Sequence, residues 1–260
     1  MLILMAASAT QIAEVLAGMR AESARLISAA EQPAPSRLPA GSPALDALTG
    51  GGLVRGRIVE LTGPRSSGRM SAVLAMTAAV QAAGELVAVV DVADALDPRS
   101  AVRAGVVLPR LLWVRPTTMM DGMRAVDWVL DAGGFGLVVL YVAGAETGNR
   151  KPETGNRKPD GNRRAWRKDG VRGEAPWIRL ARRAEKAKSA LVVVADRPMV
   201  GTVAATSLVA ERGRVRWLGG ERGAPRILDG VDGRIVVARS KLGPPAACAE
   251  VPLAVAVSRR

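Results

Sequence analysis

The stretch LTGPRSSGRMSAVLAM, residues 61–76, has the frame of a phosphate-binding loop without its two most reactive side chains. Such a loop reads G-x-x-x-x-G-K-[ST]: the glycines let backbone amides wrap phosphates, the lysine reaches the outer phosphates, and the hydroxyl holds Mg²⁺. Gly63 and Gly68 stand in the frame and enclose Pro64, Arg65, Ser66 and Ser67. The lysine position is Arg69 and the hydroxyl position is Met70. Arginine keeps the charge, but its planar fork is bulkier than an ammonium and the exchange is not conservative in a tight pocket. Methionine removes the metal-binding hydroxyl outright. Ser71 comes one position late, and because position along a helix sets side-chain direction, it substitutes only if the helix starts elsewhere. A helix beginning near Gly68 aims its positive end at an anion, so the backbone cradle can persist without the metal site.

Working outward, the runs RIVELT, ELVAVVD, LLWV, LVVLYV and ALVVVA are rich in valine and leucine. Near-continuous hydrophobicity of this kind predicts strands buried on both faces of a mostly parallel sheet. Residues 69–83, 119–133 and 178–188 read as helices between them, which makes an α/β architecture with right-handed crossovers. VRWLGG and RIVVARS are late strand candidates in a less periodic region. Upstream, Ile12, Val15, Leu16, Met19 and Leu26 recur at helical spacing and predict a separate N-terminal amphipathic helix over 9–28. The Pro-rich AEQPAPSRLPAGSP follows it, so the helix is expected to dock apart from the core, on a neighbouring protein or back on its own chain. Residues 144–176 contain a tandem copy of ETGNRKP, which cannot bury an apolar face and predicts an inserted basic low-complexity loop. The expected organisation is therefore helix and linker over 1–35, core over 36–143, insert over 144–176, and the remaining core with a tail over 177–260.

The chain has 260 residues, a net charge of +13 and a pI near 11.2, which imply an acidic partner, nucleic acid ahead of membrane, unless the bias is merely that of an Arg-rich genome. With no histidine, there is no His-based metal site, triad or general base, and Cys248 alone builds no disulfide framework. No apolar run approaches the roughly 18 residues of a membrane span, so the expected location is the cytoplasm.

Taken together, GSPALDALTGGGLVRGRIVELTGPRSSGRMSAVLAM and VVDVADALDP resemble the ATPase core of RecA recombinases. That resemblance implies a RecA-like P-loop fold and also marks what has changed. The glutamate that activates water falls on Ala93, while Asp91 and Asp97 remain and Asp94 lies one residue late. The Walker B aspartate falls on Tyr141, the adenine-stacking aromatic on Ser100, and the phosphate-sensing glutamine on Asp196. Gly63 to Ser71, with Asp91 and Asp97, are thus the residues of a vestigial nucleotide site. No catalytic residue and no metal site are expected, no cofactor is required, and residual ATP binding is left open. Phosphoryl transfer is mostly electrostatic positioning, and losing several charged groups at once removes it.

Within that superfamily the chain is most similar to the ImuA family. This resemblance implies a non-catalytic adaptor in SOS-induced translesion synthesis and DNA repair. Its implied partners are an ImuB-like inactive Y-family polymerase, RecA, an error-prone C-family polymerase complex and DNA, single-stranded in preference. Two other classes remain beside it: an ATP-binding, DNA-dependent recombinase, and a division inhibitor of the SulA-like kind. For DNA the candidates are Arg150, Lys151, Arg157, Lys158, Arg163, Arg164, Trp166, Arg167 and Lys168 in the insert, with Trp177 nearby to stack on bases. The alternative is that the repeat is a solvated insertion with no role.

Overall fold

The computed structural model describes residues 36–145, 173–213, 215–218, 227–242 and 248–253. The predicted helix over 9–28 and the nine candidate DNA-binding residues from Arg150 to Lys168 lie outside them. A short antiparallel pair, β1 (Arg37–Leu38) and β2 (Leu53–Val54), brackets helix α1 (Pro43–Leu48). There follow β3 (Ile58–Thr62), α2 (Arg69–Ala82), β4 (Leu86–Asp91), α3 (Pro98–Arg103), β5 (Leu111–Val114), α4 (Met119–Ala132) and β6 (Phe135–Tyr141). After the insert come α5 (Ala175–Ala187), β7 (Ala190–Ala195), β8 (Thr206–Glu211), β9 (Val215–Leu218), β10 (Ile227–Ser240) and β11 (Cys248–Leu253).

One sheet of nine strands among the described residues runs in the order β11-β10-β8-β3-β7-β6-β4-β5, with β9 also paired to β10. From β5 to β8 every pairing is parallel, and β10 adds β8, β9 and β11 antiparallel. The parallel strands are apolar on both faces because helices cover both. Val59, Leu61, Val87, Val89, Leu137, Val139, Val192 and Val194 face α1 and α2, which contribute Leu45, Leu48, Val73, Met76 and Val80. The alternate residues Ile58, Ala88, Val90, Val138, Leu140, Leu191 and Val193 face α4 and α5, which contribute Met123, Val126, Leu130, Trp177 and Leu180. Each such side chain, fully buried, contributes about 1.5–3 kcal/mol relative to exposure. No helix among the described residues is long and apolar enough to cross a membrane.

Local chemistry sets the helix ends. Ser42 and Thr118 accept hydrogen bonds from the amides of Leu45 and Asp121 as N-caps of α1 and α4, and Lys188 closes α5 in the left-handed conformation. Two expectations need correction. The insert cannot extend to 176, because α5 begins at Ala175 with Pro176 in its first turn, where proline's missing amide costs nothing. Trp177 cannot stack on bases, because that first turn faces the sheet and the indole is 2% exposed.

Candidate functional site

Four strand ends meet at the carboxyl edge of the sheet, where adjacent β3, β7, β6 and β4 terminate. Each delivers one of the sequence-predicted positions: the loop 63–68 after β3, Asp196 after β7, Tyr141 ending β6, and Asp91 ending β4. The crevice outside parallel strand ends is the usual place for a ligand in such sheets.

The loop keeps the backbone of a cradle. Ser66 and Gly68 have φ values of 60° and 85°, both left-handed, and Gly68 caps α2 with no side chain of its own to satisfy the first amides. Pro64, Arg65 and Ser66 are exposed, whereas Ser67 is 3% exposed and its Oγ has no hydrogen-bond partner. Arg212 steadies the loop tip by donating Nε to the Arg65 carbonyl at 3.1 Å.

The side chains around the cradle point to other work. Arg69 is 5% exposed, with Nη1 donating to the Ala195 carbonyl at 2.6 Å and Nη2 lying 2.8 Å from Asp196 Oδ1. The second Asp196 oxygen accepts from the Gly144 amide at 2.8 Å. The guanidinium is therefore bound across the ends of β7 and β6, where a lysine would extend toward phosphate. Met70 packs half-buried against the apolar cluster beneath α2, and Ser71 is exposed.

Tyr141 is 6% exposed, and burial holds its phenol above the ordinary range; Asp91 and Asp196 push the same way, while Arg69 and Arg65 pull back. It is a neutral hydroxyl at physiological pH, not an anion for a metal. Asp91 is fully buried and accepts from the amides of Ala95 at 3.1 Å and Leu96 at 2.9 Å, so it folds the turn after β4. Asp97 caps α3 through the Ser100 amide at 2.9 Å and hydroxyl at 2.7 Å, hydrogen bonds that hold its carboxyl below the usual range. Asp94, with φ of 54°, turns away to a two-point ion pair with Arg115 at 2.6 and 2.7 Å. No three His, Cys, Asp or Glu side chains gather among the described residues. The backbone fits an anion; the side chains do not fit a metal-bound nucleotide.

A second basic feature escaped the sequence reading. Arg179, Arg182, Arg183 and Lys186 share the outer face of α5 and line a shallow groove with Ala175 and Ile178. Arg179 and Arg183 are anchored to Asp127 of α4 at 3.6 and 3.4 Å, while Arg182 and Lys186 are exposed. Their recurrence at three- and four-residue spacing was the available signal.

The family described as "RecA N-terminal domain" matches residues 14–155 of the chain. "Protein RecA" of Lactobacillus delbrueckii subsp. bulgaricus is 41% identical over 106 residues, covering 40% of this chain and 32% of that protein. "Protein RecA" of Mycobacterium ulcerans is 42% identical over 106 residues, covering 40% and 31%. The matched segment thus spans about a third of the length of these relatives. The crystal structure of the RadB recombinase superposes with a TM-score of 0.56 at 18% identity, over 82% of this chain and 94% of that one, a likeness of fold. With the family matched over more than half of its residues, and with its loop, strand order and L-D-P turn in place, this chain belongs to the RecA N-terminal domain family.

Proposed function

We propose that this chain is a non-catalytic RecA-fold adaptor of the ImuA type, acting in damage-induced translesion synthesis. It joins DNA to polymerase-related partners, among them an ImuB-like inactive Y-family polymerase, RecA and an error-prone C-family polymerase. The observation that carries this reading is the position of Arg69, whose guanidinium is bound to Ala195 and Asp196 within the fold. Met70, Ala93 and Tyr141, which stand where the resemblance calls for a metal-binding hydroxyl, a water-activating carboxylate and a Walker B carboxylate, support it. The expected result is ATP turnover at background, with Mg²⁺ and with or without single-stranded DNA. Turnover that disappears in Arg69→Ala would restore the recombinase reading, which the 41% identity to RecA favours.

DNA contact on this reading is electrostatic. Each engaged phosphate contributes about −0.7 to the slope of log affinity against log salt on single strands. Deleting 146–172, which spares α5, is expected to remove roughly two to four contacts, a slope change of about 1.4–2.8, with sequence preference unchanged. Arg182→Ala/Lys186→Ala on α5 is expected to remove about two more. Fluorescence-anisotropy salt titrations on one oligonucleotide measure both; curves superimposable with the intact protein would show that neither surface meets DNA.

A further inference from the structure

We infer that the Arg69–Asp196 ion pair takes the structural place of a bound nucleotide, holding the phosphate-loop helix against the strand ends so that the order of this centre does not depend on any ligand. The inference rests on the reading of the centre as one without phosphoryl transfer, and it adds how the centre is regulated: by nothing that binds there.

Three contacts form one continuous strut. Arg69 stands in the first turn of α2, directly after the loop. Its guanidinium reaches the last carbonyl of β7, at Ala195, and the carboxylate of Asp196 beyond it, at 2.6 and 2.8 Å. Asp196 in turn accepts from the amide of Gly144, three residues past the end of β6, at 2.8 Å. Loop helix, β7 and β6 are thereby joined by one hydrogen bond from the guanidinium to Ala195, its ion pair with Asp196, and the Gly144 amide on the other carboxylate oxygen. The guanidinium is 5% exposed, where water and salt screen little. A fork with several donors can serve a carbonyl and a carboxylate together, and an ammonium serves them less well. In a switching site these elements are bridged by phosphate and metal and relax when the bridge leaves. Here the bridge is covalently part of the chain. A ligand moves an equilibrium only by differential affinity for its two states, and a centre held in one state offers none.

The experiment combines thermal melts with hydrogen exchange on the full chain. In the wild type, millimolar ATP with Mg²⁺ is expected to move Tm by less than about 1 °C and to leave exchange in 63–70 unchanged. Asp196→Asn and Arg69→Met are each expected to lower Tm by roughly 5–10 °C, and the double variant to melt within about 2 °C of the worse single one, because each removes the same interaction. Arg69→Lys falls between wild type and Arg69→Met. Should the methionine variant fail to fold, Arg69→Lys against Asp196→Asn supplies the cycle. Losses that add, or a wild type that ATP stabilises by several degrees, would overturn the inference. A protein without ATPase activity whose two losses add would keep the proposed function and lose this regulation.

Discussion

Trp177→Ala is expected to lower stability by about 3–5 kcal/mol, a drop in Tm of roughly 6–20 °C for a chain of this size. The indole is among the largest fully buried side chains. It packs in the cluster that joins α4 and α5 to Ile58, Val138, Leu191 and Val193 of the sheet. Truncation loses the transfer energy of the ring and leaves a cavity that rigid strands cannot collapse into. Trp128, on α4 and 70% exposed, is the internal control: Trp128→Ala is expected to stay within about 0.5 kcal/mol of wild type. Circular-dichroism melts of the two variants decide the matter. Equal melting of both would put Trp177 at the surface and return it to the candidates for base stacking.

That residue also shows where sequence reasoning stopped. A tryptophan beside a basic repeat matches the composition of a nucleic-acid surface, and only the phase of α5 reveals that it points inward. The parallel strands and their helices were legible because burial on both faces leaves an unbroken apolar run, and all five strands from β3 to β7 fall on the predicted runs. Strand β8, also parallel to β3, was not among them. The antiparallel extension was legible only in part: VRWLGG falls on β9 and RIVVARS on the second half of β10, while the first half of β10 and β11 were missed. Strand β10 is fourteen residues long, yet it includes Gly230, Asp232 and Gly233, residues depleted in strands, and shifts register twice, between Leu228 and Gly230 and between Val237 and Arg239. Helix α1 is six residues, too short for a helical period to show, and depends on Ser42 and on Asp46, which accepts from the Ala40 amide at 2.7 Å. At the site, the substitutions at 69, 70, 93 and 141 were visible one by one. What was not visible is that Arg69 and Asp196, 127 positions apart, answer each other, because no local pattern carries a pairing across the sheet.

Gly63→Ala is expected to cost several kcal/mol whether or not the loop holds a phosphate, and the reason bears on why the motif persists at all. A β-carbon on Gly63 would lie 2.2 Å from the Ala210 carbonyl oxygen and 3.1 Å from its carbon, both backbone atoms of β8, and 2.9 Å from Ser67 Oγ. Its φ of 151° adds strain for any L side chain. Relief requires the loop to part from β8, whose parallel pairing with β3 runs from Val59–Thr206 to Thr62–Val209 immediately before it. The first glycine of the loop is thus demanded by strand packing, as Asp91 is by the amides of Ala95 and Leu96 and Asp97 by the cap of α3. A motif can outlast its chemistry when its residues also hold backbone in place, whereas Lys, Thr and Glu side chains that serve only a metal and a nucleotide are free to be replaced. The measurement is a denaturant titration of Gly63→Ala beside Ser66→Ala, whose side chain is exposed and whose φ of 60° carries a smaller penalty. Gly63→Ala should shift the midpoint far more; equal small shifts would mean that the loop yields freely and that its glycine is kept for an anion after all.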